Sequence, residues 1–181
     1  YTDPDYPARV QLEGKEGVYP MAEQYLTLVQ ETDQAFEKLI RYFEEQEEPV
    51  LIVMFGDHQP SVEQEFLDLA YGVEQKDMTM EEYMGKFRVP FVIWSNYGLE
   101  PKIPEITSLN FLGQYVLDLA GIESDTYGGF LREFRNEIPA LTFSGYFDSE
   151  GEAHSHLETN AFDEKIEEYQ IVQYDRMFGR E

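Results

Sequence analysis

Along the chain, long amphipathic stretches give way to short unbroken apolar runs. Tyr25, Leu28, Val29, Phe36, Leu39, Ile40 and Phe43 recur at spacings of three and four, with Glu and Gln between them. That period places them on one stripe of a helix, predicted over roughly 21–46. Pro20 stands at its start. Pro49 marks its end, because the residue before a proline is pushed out of helical angles. The run "VLIVMF", residues 50 to 55, has no polar position at all. Such a run reads as a strand buried on both faces, the pattern of parallel sheets covered by helices. Residues 62–86 read as two helical pieces divided at Gly72, and "VPFVIW", 89 to 94, as a second buried strand. Leu109, Leu112, Val116 and Leu119 mark the inner face of a helix over about 108–120. Gly121 follows where a left-handed C-terminal glycine belongs.

The remaining segments are less regular. Residues 1–20 are rich in Pro, Gly, Tyr and charge and read as an extended loop, as do residues 95–104. Residues 122–139 read as loop with a short helix near 129–134. "ALTFSGYF", 140 to 147, reads as a strand, and 148–160 as a polar loop. The last segment, 161–178, mixes Phe162, Ile166, Tyr169, Ile171 and Tyr174 with charge, and fits a helix or a strand pair. Helices alternating with buried strands predict an α/β layout, and 181 residues suit one domain.

Composition narrows the function more than the fold. A content of 42% hydrophobic and 15% aromatic residues is enough for a sizeable core. The formal charge is −24, from 37 acidic against 13 basic residues. Phosphate backbones repel such a surface, so no nucleic-acid partner is expected, and anionic membrane surfaces are poor partners for the same reason. An anionic substrate would need a local cation, and a metal ion is the obvious one. With no cysteine, disulfides and thiolate zinc sites are excluded. The longest pure apolar run is residues 50–55, against the roughly 20 residues of a membrane helix. The chain opens on Tyr1 rather than methionine and reads as a piece of a longer protein.

The chemistry sits where the first strand ends, in Gly56, Asp57, His58, Gln59 and Pro60. Ligands of open α/β sheets bind at the carboxyl ends of strands. A carboxylate and a neutral imidazole both bind divalent ions, the imidazole favouring transition metals. Gly56 permits a turn and Pro60 stops the strand from continuing. By itself the triplet fits a strand-ending turn with an exposed histidine at least as well. Two ligands also make no site, since a catalytic ion takes about four with one position open. His154 and His156 form an H-x-H pair that would share one face of a strand, but they lie in a polar stretch and read as exposed loop histidines. Asp33, inside the first helix, reads as a structural hydrogen-bonding acid. No nucleophile elbow, P-loop or dinucleotide fingerprint is present.

The order of segments carries further meaning. "YLTLVQETDQAFEKLIRYFEE", "PVLIVMFGDHQPS", "VPFVIWSNYG" and "ITSLNFLGQYVLDLAGI" together resemble the C-terminal half of a sulfatase-type catalytic domain. They resemble in particular the lipoteichoic acid synthase branch, the phosphoglycerol transferases of the alkaline phosphatase superfamily. The ending "YQIVQYDRMFG" is similar to the end of that branch. The resemblance covers nearly the whole chain, so residues 1–181 would form a single partial domain. It implies the C-terminal portion of an alkaline-phosphatase-like sandwich, with a central, mostly parallel sheet flanked by helices.

The resemblance also implies one divalent ion, Mn²⁺ or Mg²⁺ with Zn²⁺ or Ca²⁺ as alternatives, held by four ligands. Asp57 and His58 map onto two of them, and an acceptor of unknown identity is expected on the other ring nitrogen of His58. The other two, a Glu or Asp and the nucleophilic Thr or Ser, belong upstream. No catalytic residue is therefore expected within 1–181, which would be inactive without the N-terminal half of the domain. In the implied reaction a metal-bound hydroxyl attacks phosphorus in a phosphatidylglycerol-like lipid, and glycerophosphate passes to an acceptor. The substrate would be a lipid- or glycan-linked phosphate or sulfate ester. An Asp-His pair, in place of the Asp-Asn of true sulfatases, favours the phosphotransferase branch. The location implied is the extracytoplasmic face of a bacterial membrane, as the soluble domain of an anchored protein. Two alternatives stay open: a non-catalytic sulfatase-like binding module, and a soluble phosphodiesterase or sulfatase of the same superfamily.

Overall fold

A computed structural model describes residues 6–99 and 106–179. Parts of the loops expected over 1–20 and 95–104 lie outside these residues. The described residues fall into two compact units. One comprises the chain up to Met78 with Arg88–Gly98, and the other Thr79–Phe87 with the chain from Leu99 on.

The first unit is built on helix α1 (Pro20–Glu44) and a ribbon of strands β1 (Leu51–Phe55) and β2 (Phe91–Ser95). Pro20 occupies the first turn of α1, where its missing N–H is no loss. The free amides of Met21 and Ala22 in that turn donate to the Glu63 carboxylate at 2.7 and 3.0 Å. A carboxylate there also suits the positive end of the helix dipole. At the other end, Asn96 fastens α1 to the ribbon. Its side-chain amide donates to the carbonyls of Phe43, Gln46 and Glu48, and its oxygen accepts from the Val50 amide at 2.8 Å. Helix α2 (Gln64–Tyr71) follows β1 and closes on Gly72, whose φ of 72° is the left-handed geometry that favours glycine.

The apolar stripe predicted for α1 is not its most buried face. Tyr25, Val29 and Leu39 are exposed, while Leu28, Phe36, Ile40 and Phe43 are half-buried. The buried positions are Ala22, Glu23 and Thr27. There the preceding arm packs by hydrogen bonds: Arg9 and Val10 amides donate to Thr27 Oγ1, and Leu12 and Gly17 amides to the Glu23 carboxylate. Buried polar groups tolerate burial when so partnered.

The second unit holds α3 (Met80–Gly85), α4 (Leu109–Leu119), α5 (Thr126–Glu137) and α6 (Asp163–Phe178). A three-stranded sheet, β3 (Ala140–Leu141), β4 (Gly145–Phe147) and β5 (Ala153–Ser155), joins them in the order β3-β4-β5. A 3-10 turn, Gln75–Asp77, precedes α3. The core here is aromatic: Phe111, Leu131, Phe134, Ile138, Tyr146, Ile166 and Tyr169. The Phe134 and Tyr169 rings sit 4.8 Å apart. Tyr146 keeps its buried hydroxyl satisfied by donating to Asn160 Oδ1 at 2.7 Å. Asp118 of α4 is gripped by Arg132 and Arg135 of α5 at 2.7 and 2.9 Å, which locks the two helices together.

The mixed helix-and-sheet class agrees with expectation, but the sheet direction does not. Every strand pair among the described residues is antiparallel: β1 with β2, β3 with β4, and β4 with β5. An unbroken apolar run is silent on the direction of the neighbouring strand, and the burial expected on both faces is not found either: β1 and β2 are half-buried, with Phe55 and Val92 exposed. The loop expected over 148–160 contains β5, because His154 pairs with Tyr146 across the hairpin. The short helix near 129–134 extends to the whole of α5, capped by the Asp125 side chain on the Gly128 amide. The ambiguous last segment is helix α6.

Candidate metal centre

The β1–β2 ladder runs from Leu51 opposite Ser95 to Phe55 opposite Phe91. One further bond, Gly56 N–H to the Pro90 carbonyl at 3.1 Å, carries it one residue on. A Cβ at Gly56 would lie 3.0 Å from Val89 Cβ, so this tight approach favours glycine. The chain then turns, and Asp57 and His58 come out of the ladder into solvent. Their side chains are 84% and 77% exposed.

The turn orders both side chains despite that exposure. Asp57 Oδ1 accepts the His58 main-chain N–H at 3.0 Å. His58 Nδ1 stands 2.8 Å from the Gln59 carbonyl. A carbonyl only accepts, so in this bond Nδ1 carries the hydrogen, and in the neutral ring Nε2 is left with its lone pair. The two atoms that remain, Asp57 Oδ2 and His58 Nε2, are 3.6 Å apart. Metal–ligand bonds to oxygen and imidazole are about 2.1 Å, so two ligands of one ion can stand up to about 4.2 Å apart. The pair therefore fits a shared divalent ion by distance and by donor type.

The turn is fastened on both sides. The Gln59 side-chain amide donates to the Arg88 carbonyl at the entry to β2. Four residues on, Glu63 holds the start of α1. No third ligating side chain joins Asp57 and His58 among the described residues. Asp33 is exposed on α1 and has no hydrogen-bond partner among the described residues, so the structural role expected for it is not observed.

A different cluster lies on the β4–β5 hairpin, where Asp148, Glu152 and His154 each bring one ligating atom within 4.8 Å of the others. His154 is half-buried on β5 rather than exposed in a loop, and stacks on Tyr146 at 5.1 Å. His156 is exposed, and its Nε2 lies 2.9 Å from the Thr142 carbonyl. Asp148 is buried and fully engaged. Its Oδ1 accepts the amides of Glu150 and Glu152 at 2.9 and 3.0 Å, and its Oδ2 pairs with His154 Nε2 at 2.7 Å. Burial pushes its carboxyl up, but the His154 bond and the two amides outweigh that and hold it below the usual range. These contacts account for the cluster as the lock of a hairpin.

A carboxylate and an imidazole thus converge at the end of a strand in a mixed helix-and-sheet fold. The sulfatase family model matches residues 1–122, and the chain belongs to that family. A protein of Rhizobium meliloti (strain 1021), named "Putative cyclic beta-1,2-glucan modification protein", is 26% identical over 160 residues, which is 86% of this chain and 25% of that protein. The chain thus spans about a quarter of that relative's length. No solved structure matches. Among the described residues no helix is long and apolar enough to cross a membrane.

Proposed function

We propose that the protein is a metal-dependent enzyme acting on phosphate esters in the manner of a phosphoglycerol transferase, with Asp57 and His58 as two ligands of its ion. The observation that carries this reading is the 3.6 Å approach of Asp57 Oδ2 to His58 Nε2, with the other polar atom of each side chain already engaged. Membership of the sulfatase family supports it. A divalent ion bound there would polarise the ester's non-bridging oxygens and lower the pKa of an attacking hydroxyl. Asp57 supplies negative charge that offsets part of the cation's, and His58 supplies a neutral donor in one fixed tautomer. Their exposure leaves the approach open to a large ester. The remaining ligands and the nucleophile would come from outside these residues, on the extracytoplasmic side of a membrane-anchored protein.

The relative's name points to a glucan as the acceptor. Transfer of a glycerophosphate-like group from a lipid to a glycan hydroxyl unites that name with the phosphotransferase chemistry. Phosphate and sulfate esters share a shape, so the assay must separate them. The full-length protein is assayed on a phosphodiester and on an aryl sulfate, before and after chelation and Mn²⁺ re-addition. Turnover of the phosphodiester that chelation abolishes and Mn²⁺ restores is expected. Preference for the sulfate would make it a sulfatase. Chelator-resistant turnover would overturn the metal dependence, and no turnover of either ester would overturn the reading in favour of a binding module.

A further inference from the structure

We propose that Gln59 is the positioning residue of this half-site: its main-chain carbonyl selects the His58 tautomer, and its side-chain amide fixes where that carbonyl points. The inference deepens the metal reading above and rests on it for the role of Nε2.

A neutral imidazole in water prefers its hydrogen on Nε2, the nitrogen that a metal would need bare. The His58 ring faces Asp57 through Nε2, so a metal-competent pair requires the less favoured tautomer. The Gln59 carbonyl, 2.8 Å from Nδ1, is the group that selects it. A carbonyl on an exposed turn would ordinarily wander with its peptide plane. Here the same residue is tethered, because its side-chain amide donates to the Arg88 carbonyl. Arg88 lies beside the last bond of the ladder, Gly56 N–H to Pro90. Residue 59 is thereby tied to the strand entry opposite the turn. Metal-bound histidines as a rule donate their second ring nitrogen to such an acceptor, which sets both tautomer and ring orientation. Neither alanine nor glutamate at 59 can donate to Arg88, although both keep a main-chain carbonyl.

The test is nitrogen-detected NMR of the ¹⁵N-histidine-labelled chain at about pH 8.5, well above the ordinary imidazole pKa. His154 and His156 provide internal checks on the folding of the other unit, where both are held by partners that do not involve residue 59. The wild-type His58 signal should be that of the Nδ1–H tautomer. In Gln59→Ala and Gln59→Glu it should shift toward Nε2–H, with the other two histidines unchanged. Mn²⁺ titration of the full-length protein carrying the same substitutions should show affinity falling about 10- to 100-fold. A wild-type His58 protonated on Nε2 overturns the proposal, whatever the variants do. So do variants that keep the wild-type tautomer and affinity. A wild-type chain with the Nδ1–H tautomer and the expected shift in the variants, but no Mn²⁺ bound by the full-length protein, would uphold the positioning and sink the metal reading.

Discussion

Removing Asp57 should abolish ion binding and leave the fold almost untouched, a combination that a merely structural turn would not produce. Asp57→Ala deletes a side chain that is 84% exposed, so little buried area is lost. It gives up one hydrogen bond, from the His58 amide at 3.0 Å, and one exposed approach to His58 at 3.6 Å. A typical hydrogen bond contributes about 1 kcal/mol net. An exposed pair contributes about 0–1 kcal/mol, and water can take over the freed amide. The variant should therefore lose no more than about 1 kcal/mol of stability. Ion affinity should fall at least about 100-fold, since even partners behind the ligands cost 10- to 100-fold when lost. Urea unfolding and Mn²⁺ titration of the full-length protein, run on the same preparations, read both quantities. His58→Ala and Asp57→Asn should behave alike, the latter because it keeps the shape and drops the charge. A stability loss above about 2 kcal/mol, or an unchanged Mn²⁺ titration, would show that the turn exists to end a strand.

Asp148→Ala should destabilise the second unit by about 2–4 kcal/mol, because two amides and His154 lose a charged acceptor. Asp148→Asn should cost less, since its amide oxygen can still accept from both amides, and chelator should shift neither urea curve. Asp118 and Asp148 both have folded pKa values below the ordinary carboxylate range: burial raises each, and hydrogen-bonding partners, Arg132 and Gln114 at Asp118, outweigh it. Their stabilisation should be complete above the unfolded value of about 4 and lost as pH falls through the depressed folded values. Unfolding free energies measured down the acid limb should show that slope, and Asp118→Asn should flatten it. Gly145→Ala would drive a Cβ into the His154 main-chain carbonyl, with Met84 Sδ 3.3 Å away. Because backbone cannot rotate aside, the urea midpoint should fall by an amount equivalent to about 1–3 kcal/mol.

How much of this was legible depends on how local each feature is. Asp57 and His58 could be marked from residues 50 to 60 alone, because strand, turn and ligand types are contiguous there. The helix ends at Pro20, Gly72 and Gly121 were readable for the same reason: each rests on the backbone chemistry of one residue. The sheet direction was not, since it depends on how the chain returns from β1 to β2 and not on what β1 contains. The stripe on α1 misled because it ignores the arm of residues 9–17, which covers Glu23 and Thr27 through hydrogen bonds rather than apolar contact. His154 misled in the opposite sense: a polar loop sequence became a strand because Asp148 organises the turn before it.

The same division explains what the candidate site lacked on the page of the sequence. An acceptor for the second ring nitrogen of His58 was expected but could not be named, and it is the next residue's carbonyl. What makes that carbonyl dependable is remote, for Gln59 reaches across 29 positions to Arg88, and Glu63 across 42 to Met21. Two exposed side chains are thus ordered by anchors on either side of them and not by burial. An exposed pair pays no heavy desolvation cost when empty and can present its free atoms to an ion and to a bulky ester together. Burial could therefore not have flagged this pair as a site; the signal is that two solvent-exposed side chains have their inner atoms hydrogen-bonded and their outer atoms facing each other.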